Sequence, residues 1–388
     1  MIKIIEKHNC CGCGACSQAC PVSCIEMERD KEGFYYPKVN KHKCVSCGKC
    51  EVVCPVINAK DQSDEIISSY AAYAKNEDIL TKSSSGGIFS LVALWIISSG
   101  GVVFGASFDD NSSVRHIYVD KKEDLYLLQG SKYVQSNTYD SYVLAEQFLK
   151  TRRNVLFTGT ACQISGLKRY LGKEYDELFT IDVLCHGVPS PLLWEKYCAE
   201  ISKKFSKNIS SIYFRDKTYG WNDFSMTFVF DDNQIERKKY FNDPYMSLFL
   251  GNICLRPSCY HCKFKGLSRD SDITIGDCWG VEKTCQEMNN YNGVSVIITH
   301  TSKGQSILQN IENELVLKEE KVDLLLSPLA DSRVSVKEHD NRQLFFRRLK
   351  WKRNVSELAI LLEPTMGTKI RRKIKKYANK AKGGFGKN

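Results

Sequence analysis

Ten of the chain's 18 cysteines fall in two short windows, Cys10 to Cys24 and Cys44 to Cys54. Thiolates at that density are soft ligands for transition metals, so metal binding is the first chemistry they offer. The first window reads Cys10-x2-Cys13-x2-Cys16-x3-Cys20-Pro21, and the second repeats the spacing as Cys44-x2-Cys47-x2-Cys50-x3-Cys54-Pro55. Such runs wrap three thiolates around one [4Fe-4S] cubane and send the fourth to the neighbouring cubane. One centre is therefore expected on Cys10, Cys13, Cys16 and Cys54, and a second on Cys44, Cys47, Cys50 and Cys20. Structural zinc is the competing use, and it prefers two separated C-x2-C pairs. Cys11 and Cys24 lie outside the motif and are expected as buried neighbours.

Four more cysteines sit in glycine-rich or aromatic turns: Cys162 in FTGTACQ, Cys185 in DVLCHG, and Cys259 and Cys262 in LRPSCYHCKF. A Cys-x2-Cys pair with two separated thiols suits zinc, a third [4Fe-4S] centre, or no metal at all, and spacing does not choose between them. No G-x-G-x-x-G follows a strand, so a separate nicotinamide site of the usual kind is not expected. No Ser-His-Asp or zinc-hydrolase pattern supports hydrolysis.

The elements that must position these residues follow from periodicity. IEMERDKEGFYYPKV alternates and turns at Asp30 to Gly33, the pattern of a hairpin joining two related halves. The polar stretch Asn58 to Glu65 reads as a linker. From Ser69 onward strand-like and helix-like segments alternate. SYAAYA, then SSSGG opening the apolar helix Ile88 to Ile97, then GGVVFGASF form a β-α-β pattern. NVLFTGTACQISGLKRYL and TIDVLCHGVPSPLLWEKYCAEI repeat the logic. SSIYFRDK, WNDFSMTFVF, SDITIGDCWG and GVSVIITH read as strands, with helix from Lys303. The fold class expected is an α+β ferredoxin-like 2[4Fe-4S] module fused to a mixed α/β domain. Its parts are residues 1–60, a linker at 61–68, the α/β domain at 69–345 and a basic helical tail at 346–388.

At 388 residues with 43% hydrophobic and 26% charged residues, the chain has ordinary globular balance, which excludes a disordered or collagen-like protein. The longest apolar stretch is ten residues, half of what a bilayer span needs. With no apolar signal core before Cys10, a cytoplasmic location with reduced thiols is expected. Nine of the net ten positive charges lie between Thr368 and Asn388, so basicity belongs to the tail. A basic tail does not make a nucleic-acid enzyme and leaves a solvated helix end, or weak attachment to an anionic membrane, RNA or an acidic partner.

Several blocks resemble the coenzyme F420 hydrogenase/dehydrogenase beta-subunit family, whose relatives include ferredoxin-dependent reductases of chlorophyll intermediates. They are SSSGGIFSLVA, GGVVFGASFD, LQGSKYVQS, FTGTACQISGLKRYL, DVLCHGVPSPLLW, FRDKTYGW and LRPSCYHCKFKGLSRDSDITIGDCWG, together with the two cysteine runs. They span most of residues 1 to about 300 in the family's order. Ala161 stands where the family often has proline. The resemblance implies FAD in the α/β domain and a third [4Fe-4S] cluster on Cys162, Cys185, Cys259 and Cys262. It implies flavin contacts from Ser84, Ser85, Gly86, Gly87, Lys132, Gly159, Thr160, Gln163, His186, Gly187 and Asp277. His186 and Lys132 are the catalytic candidates.

Physical chemistry suits several of these positions. Serines can cap exposed helix amides, glycines admit close approach, and a helix dipole favours a pyrophosphate, although ordinary capping needs no ligand. Lys132 can meet a phosphate or a reduced-flavin anion, and His186 can relay protons near neutrality. Gly159, Thr160 and Gln163 sit where a strand opens into a helix. Asp277 suits a ribityl hydroxyl or a turn amide. Arg215 and Lys217 suit an acidic substrate or a surface ion pair with Asp216. The expected function is an oxidoreductase of a low-oxygen cell passing electrons from ferredoxin, or another low-potential redox protein, through the clusters to FAD. The final acceptor would be coenzyme F420 or a small organic substrate. The alternative is a non-catalytic electron-transfer subunit feeding a partner enzyme.

Overall fold

The computed structural model describes residues 1–59, 66–326, 333–351 and 354–363. The first module folds as two pseudo-symmetric halves joined by an antiparallel hairpin, β1 (Ile25–Arg29) and β2 (Tyr35–Val39), which pairs Ile25 with Val39. Each cysteine run bends the same way. Gly14 and Gly48 take the left-handed conformation, φ +77° and +74°, and start the one-turn helices Ala15–Gln18 and Lys49–Val52. A side chain at these φ values is strained, which explains why glycine follows the second cysteine of both runs.

The main sheet has eight strands: β3 (Ser68–Ala74), β4 (Val102–Phe108), β5 (Val114–Val119), β6 (Val155–Thr160), β7 (Leu178–Val183), β11 (Ile273–Asp277), β12 (Ser295–Thr299) and β13 (Leu315–Glu319). A separate antiparallel sheet holds β8 (Ile209–Asp216), β9 (Ser225–Phe230) and β10 (Ile235–Lys239). In the main sheet the order is β13-β3-β12-β11-β7-β6-β4-β5. Only β11, β7, β6 and β4 run parallel to their shared neighbours. The segments read as one β-α-β pattern from Ser69 are thus split: β3 and β4 lie in different halves, with four strands between them.

Period-two burial explains the helix layers. Leu156 joins Leu91, Val92, Ile96 and Ile307 on one face, while Val155 and Phe157 join Tyr142, Ala145, Ile164 and Leu167 on the other. Helices Ile88–Ser98 and Ser302–Ile311 cover the first face, and Ser141–Lys150 and Ala161–Leu171 the second. Cys13, Ala15, Ala19 and Val53 share that second core, so the cysteine module is packed onto the sheet domain. A third core gathers Trp194, Tyr197, Tyr245 and Phe230 around Phe34 of the hairpin loop.

Residues 346–363, assigned from sequence to a basic tail, belong partly to that aromatic core. Phe346, Leu349, Val355, Leu358 and Leu361 are buried there, and Phe346 lies on the helix Arg342–Lys350 that starts inside the domain. The segment from 364 onward, with its nine cations, lies outside the described residues, as do 60–65 of the linker. Among the described residues no helix is long and apolar enough to cross a membrane.

Candidate functional site

Two concave spaces open in the amino-terminal module. The first is lined by Cys20, Cys44, Cys47 and Cys50, with Cys24 beside them. The second is lined by Cys10, Cys13, Cys16 and Cys54, with Cys11 beside them. Each thus gathers three thiols of one run and the fourth of the other. Cys20 and Cys54 change partners because each one-turn helix carries the chain from one space to the other. Backbone amides already aim at sulfur, Ile2 N at Cys50 Sγ (3.3 Å) and Cys24 N at Cys20 Sγ (3.3 Å). Among the described residues no three His, Cys, Asp or Glu groups converge tightly enough for a single ion. Four soft thiols around each space, with no tight convergence for a single ion, fit a multi-atom cluster better than a tetrahedral zinc site.

The inner space, the one lined by Cys10, abuts the α/β domain. Thr138 Oγ1 donates to the Cys13 carbonyl at 2.8 Å, and Gln18 Oε1 accepts from Tyr142 N at 2.8 Å. Gly166 on the helix Ala161–Leu171 faces Cys13 so closely that a Cβ there would lie 3.0 Å from its Sγ.

The other four cysteines come from the carboxyl ends of adjacent parallel strands and one turn. Cys162 follows β6 in the first turn of the helix Ala161–Leu171, Cys185 follows β7, and Cys259 and Cys262 belong to the 3-10 turn Pro257–His261 and its end. Cys162, Cys185 and Cys262 all act electrostatically on Cys259, so the fold brings the set together. Burial pushes the Cys185 thiol up to about 12 and raises Cys259, while Cys162 is raised first by its hydrogen bond with Cys11 and then by burial. Protonated thiols are poor ligands, so cations nearby matter. Lys265 and Arg269 both pull Cys185 and Cys262 down, and Arg256 pulls Cys162 down. Val188 N donates to Cys259 Sγ and Phe264 N to Cys262 Sγ, each at 3.4 Å. Four thiols, buried cations and amide donors form a donor set suited to an anionic cluster.

The serine-glycine run does not cap its helix. Gly87, φ +86°, precedes Ile88–Ser98 without any side-chain cap. Ser84 Oγ instead accepts from Ser131 N (2.8 Å), and Ser85 Oγ donates to the Val294 carbonyl (2.9 Å). Gly86 is glycine because a Cβ would lie 2.4 Å from the Ala72 carbonyl oxygen. Two lysines flank this turn, Lys217 buried and Lys132 half-buried, each bonded to carbonyls rather than to a carboxylate. Lys217 Nζ donates to the carbonyls of Leu80 (2.6 Å), Asn292 (2.5 Å) and Ser85 (3.5 Å), and Lys132 Nζ to those of Gln129 (2.8 Å) and Gly130 (3.2 Å). Burial lowers Lys132 to about 7 and Lys217 to about 8. An uncapped helix start beside two desolvated ammonium groups fits a dinucleotide pyrophosphate.

Other expected contacts are engaged within the protein. Gln163 Oε1 accepts from Thr160 N at 3.0 Å in a capping box, and Gly159 lies against Gln163 and His116. Asp277 holds no turn amide: its oxygens receive Arg215 (2.8 and 3.2 Å) and Trp221 Nε1 (3.0 Å), and Trp221 stacks on Trp279. Arg215 therefore pairs with Asp277, while Asp216 pairs with Arg237. His186 meets Asn252 Oδ1 at 2.6 Å and packs edge-on against Phe249. Gly187 packs on Leu255 and Cys259. The buried cations Arg256, Lys265 and Arg269 were not singled out from sequence, because nothing in their spacing marks them.

Paired cysteine cavities on an α/β domain define an iron–sulfur electron-transfer protein. Residues 152–324 match the family model for the C terminus of the coenzyme F420 hydrogenase/dehydrogenase beta subunit, and residues 9–58 match the 4Fe-4S dicluster domain. Over residues 152–324 the chain is similar to the coenzyme F420 hydrogenase/dehydrogenase beta-subunit family, and a dicluster module precedes that segment at the amino end. A chain of the xenon-derivatized F420-reducing [NiFe] hydrogenase complex from Methanosarcina barkeri is similar at 14% identity and a TM-score of 0.45. The similarity covers 76% of this chain and 90% of that one, a likeness too distant to carry function. None of the curated proteins matches.

Proposed function

We propose that the chain is an FAD-dependent oxidoreductase in which three cubane sites deliver single electrons to a flavin that reduces a two-electron acceptor, coenzyme F420 or an organic molecule. The observation that carries this reading is the three cysteine sets: the outer space, the inner space against Gly166, and the four thiols from the ends of β6 and β7 and the turn Pro257–His261, where Cys162 hydrogen-bonds with Cys11 beside the inner space. Cys10, Cys13, Cys16 and Cys54 would hold the inner cubane, Cys20, Cys44, Cys47 and Cys50 the outer, and Cys162, Cys185, Cys259 and Cys262 the third. Flavin, when bound, supplies the conversion between one-electron and two-electron transfer.

This chain's own residues do the rest. Lys132 and Lys217, with the amides that open Ile88–Ser98, hold the pyrophosphate. Arg215 and Asp277 fix Trp221 and Trp279 as an aromatic wall. His186, beside Cys185, moves a proton between its ring and the acceptor.

Electrons arrive at the outer rim. Cys47 is exposed there, Val45 and Val52 are 61% and 70% exposed, and Lys41, Lys43 and Lys49 stand near them in the chain. An apolar patch flanked by lysines suits a small acidic one-electron carrier such as ferredoxin.

The test is anaerobic iron, sulfide and flavin content per chain, followed by turnover with a low-potential donor and candidate acceptors. About twelve irons with one flavin support the reading, and about eight remove the third centre. Oxygen-free protein that is colourless or holds only zinc overturns it.

A further inference from the structure

Arg256 is fully buried, 0% exposed, and its guanidinium is held by neutral groups. Nε donates to the Cys10 carbonyl at 2.8 Å, Nη1 to Gln135 Oε1 at 3.1 Å, and Nη2 to the Tyr35 carbonyl at 2.8 Å. The plane lies over the Tyr36 ring, 4.3 Å from its centroid. Among the described residues no carboxylate pairs with it. Nη2 also points at Cys10 Sγ, 3.6 Å away, on the wall of the inner space. In the chain, Arg256 opens the turn that carries the other cysteine pair, and its carbonyl accepts from Cys259 N at 2.9 Å. One rigid fork therefore ties the backbone of the Cys10 loop to the turn of Cys259.

A cation stripped of water and left without a counter-charge is unfavourable, so a guanidinium fixed this firmly implies an anion beside it. A cubane with four thiolates carries net negative charge and gains one more on reduction. We propose that Arg256 is a positioning residue that supplies the counter-charge of the inner centre. It holds that centre's reduction potential above that of the outer one and so draws electrons inward. Hydrogen bonds to sulfur and fixed positive charge stabilise the reduced cluster. The lysines around the outer space are exposed, where salt and water screen them. No bond is made or broken: one electron arrives, and the guanidinium keeps its proton. The inference rests on the reading that Cys10, Cys13, Cys16 and Cys54 hold a cubane.

The experiment is a redox titration of the anaerobic, iron-loaded full chain followed by electron paramagnetic resonance. A soluble paramagnetic relaxer marks the exposed outer centre. In Arg256→Gln the inner midpoint should fall by at least a tenfold change in reduction equilibrium, 59 mV for one electron, with the outer midpoint unmoved. Arg256→Lys, which keeps charge and loses the fork, should fall between Gln and wild type. Unmoved midpoints in iron-replete Arg256→Gln overturn the proposal while leaving the cluster assignment intact. If both variants fail to hold iron, Gln135→Met decides: it frees one anchor of the guanidinium and should lower the same midpoint, and no change there overturns the proposal. Wild-type protein that binds no iron sinks the underlying reading instead.

Discussion

Gly166 and Cys13 meet where the cysteine module touches the α/β domain, and the only room between helix and thiol is the missing side chain of the glycine. A Cβ at 166 would lie 3.0 Å from Cys13 Sγ, from Cys13 Cβ and from Tyr142 Oη. Overpacking of this kind costs about 1–3 kcal/mol. Gly166→Ala should therefore push the Cys10–Cys16 loop off the helix, lowering the melting temperature and the iron content while the outer centre keeps its signal. Thermal melts with iron analysis check this, and full iron content with unchanged stability would show that the contact is slack.

The exchange of Cys20 and Cys54 between the two spaces, expected from the motif, makes a direct prediction. Cys54 belongs to the second run but lines the space of the first. Cys54→Ala should remove the buried centre, and Cys20→Ala the exposed one, each with loss of about four irons. Resonance with a soluble relaxer tells them apart. Loss of the exposed signal in Cys54→Ala would mean that the runs do not cross.

Cysteine spacing was legible because three of the four thiols around each space come from one short chain segment, and the fourth comes from the matching position of the other run. The third set was half legible: Cys259 and Cys262 are a local pair, but Cys162 and Cys185 become neighbours only because β6 and β7 are adjacent in the sheet. Ser84 and Ser85 looked like helix caps. Their partners, Ser131 and Val294, lie 47 and 209 residues away, so no local pattern reveals them. The Arg215 partner of Asp277 was hidden for the same reason, since it reaches across from another sheet. Arg256 was invisible because its partners Cys10, Gln135 and Tyr35 lie 246, 121 and 221 residues away. The apolar residues of 346–363 were masked by the basic composition that follows them.

Lys132 and Lys217 give the flavin reading a pH signature. Burial lowers Lys132 to about 7 and Lys217 to about 8, from 10.5 in the ordinary case. Between those values the unfolded chain binds more protons than the folded one, so flavin-free stability should rise as the pH climbs from about 7 towards 10. A bound pyrophosphate gives both ammonium groups a counter-charge and favours their protonated form, so FAD should flatten that rise. Melting temperatures from about pH 6.5 to about 9.5, with and without FAD, check it. An identical slope in both series would place the phosphates elsewhere.

Charge at the outer rim should govern how fast electrons arrive, not how well they are kept. Lys43 and Lys49 flank the exposed Cys47 in the chain, so Lys43→Glu with Lys49→Glu reverses two charges there without touching a cysteine. Exposed charges of this kind act on association rate and are screened by salt. Reduction by an acidic carrier protein should slow about tenfold or more at low ionic strength, and the gap to wild type should close as salt is added. Reduction by dithionite, a small reagent that needs no docking face, should fall far less. Stopped-flow bleaching of the cluster absorbance measures both. An equal loss with the two reductants would locate the defect in the cluster itself, and no loss with the carrier would move its docking face away from Cys47.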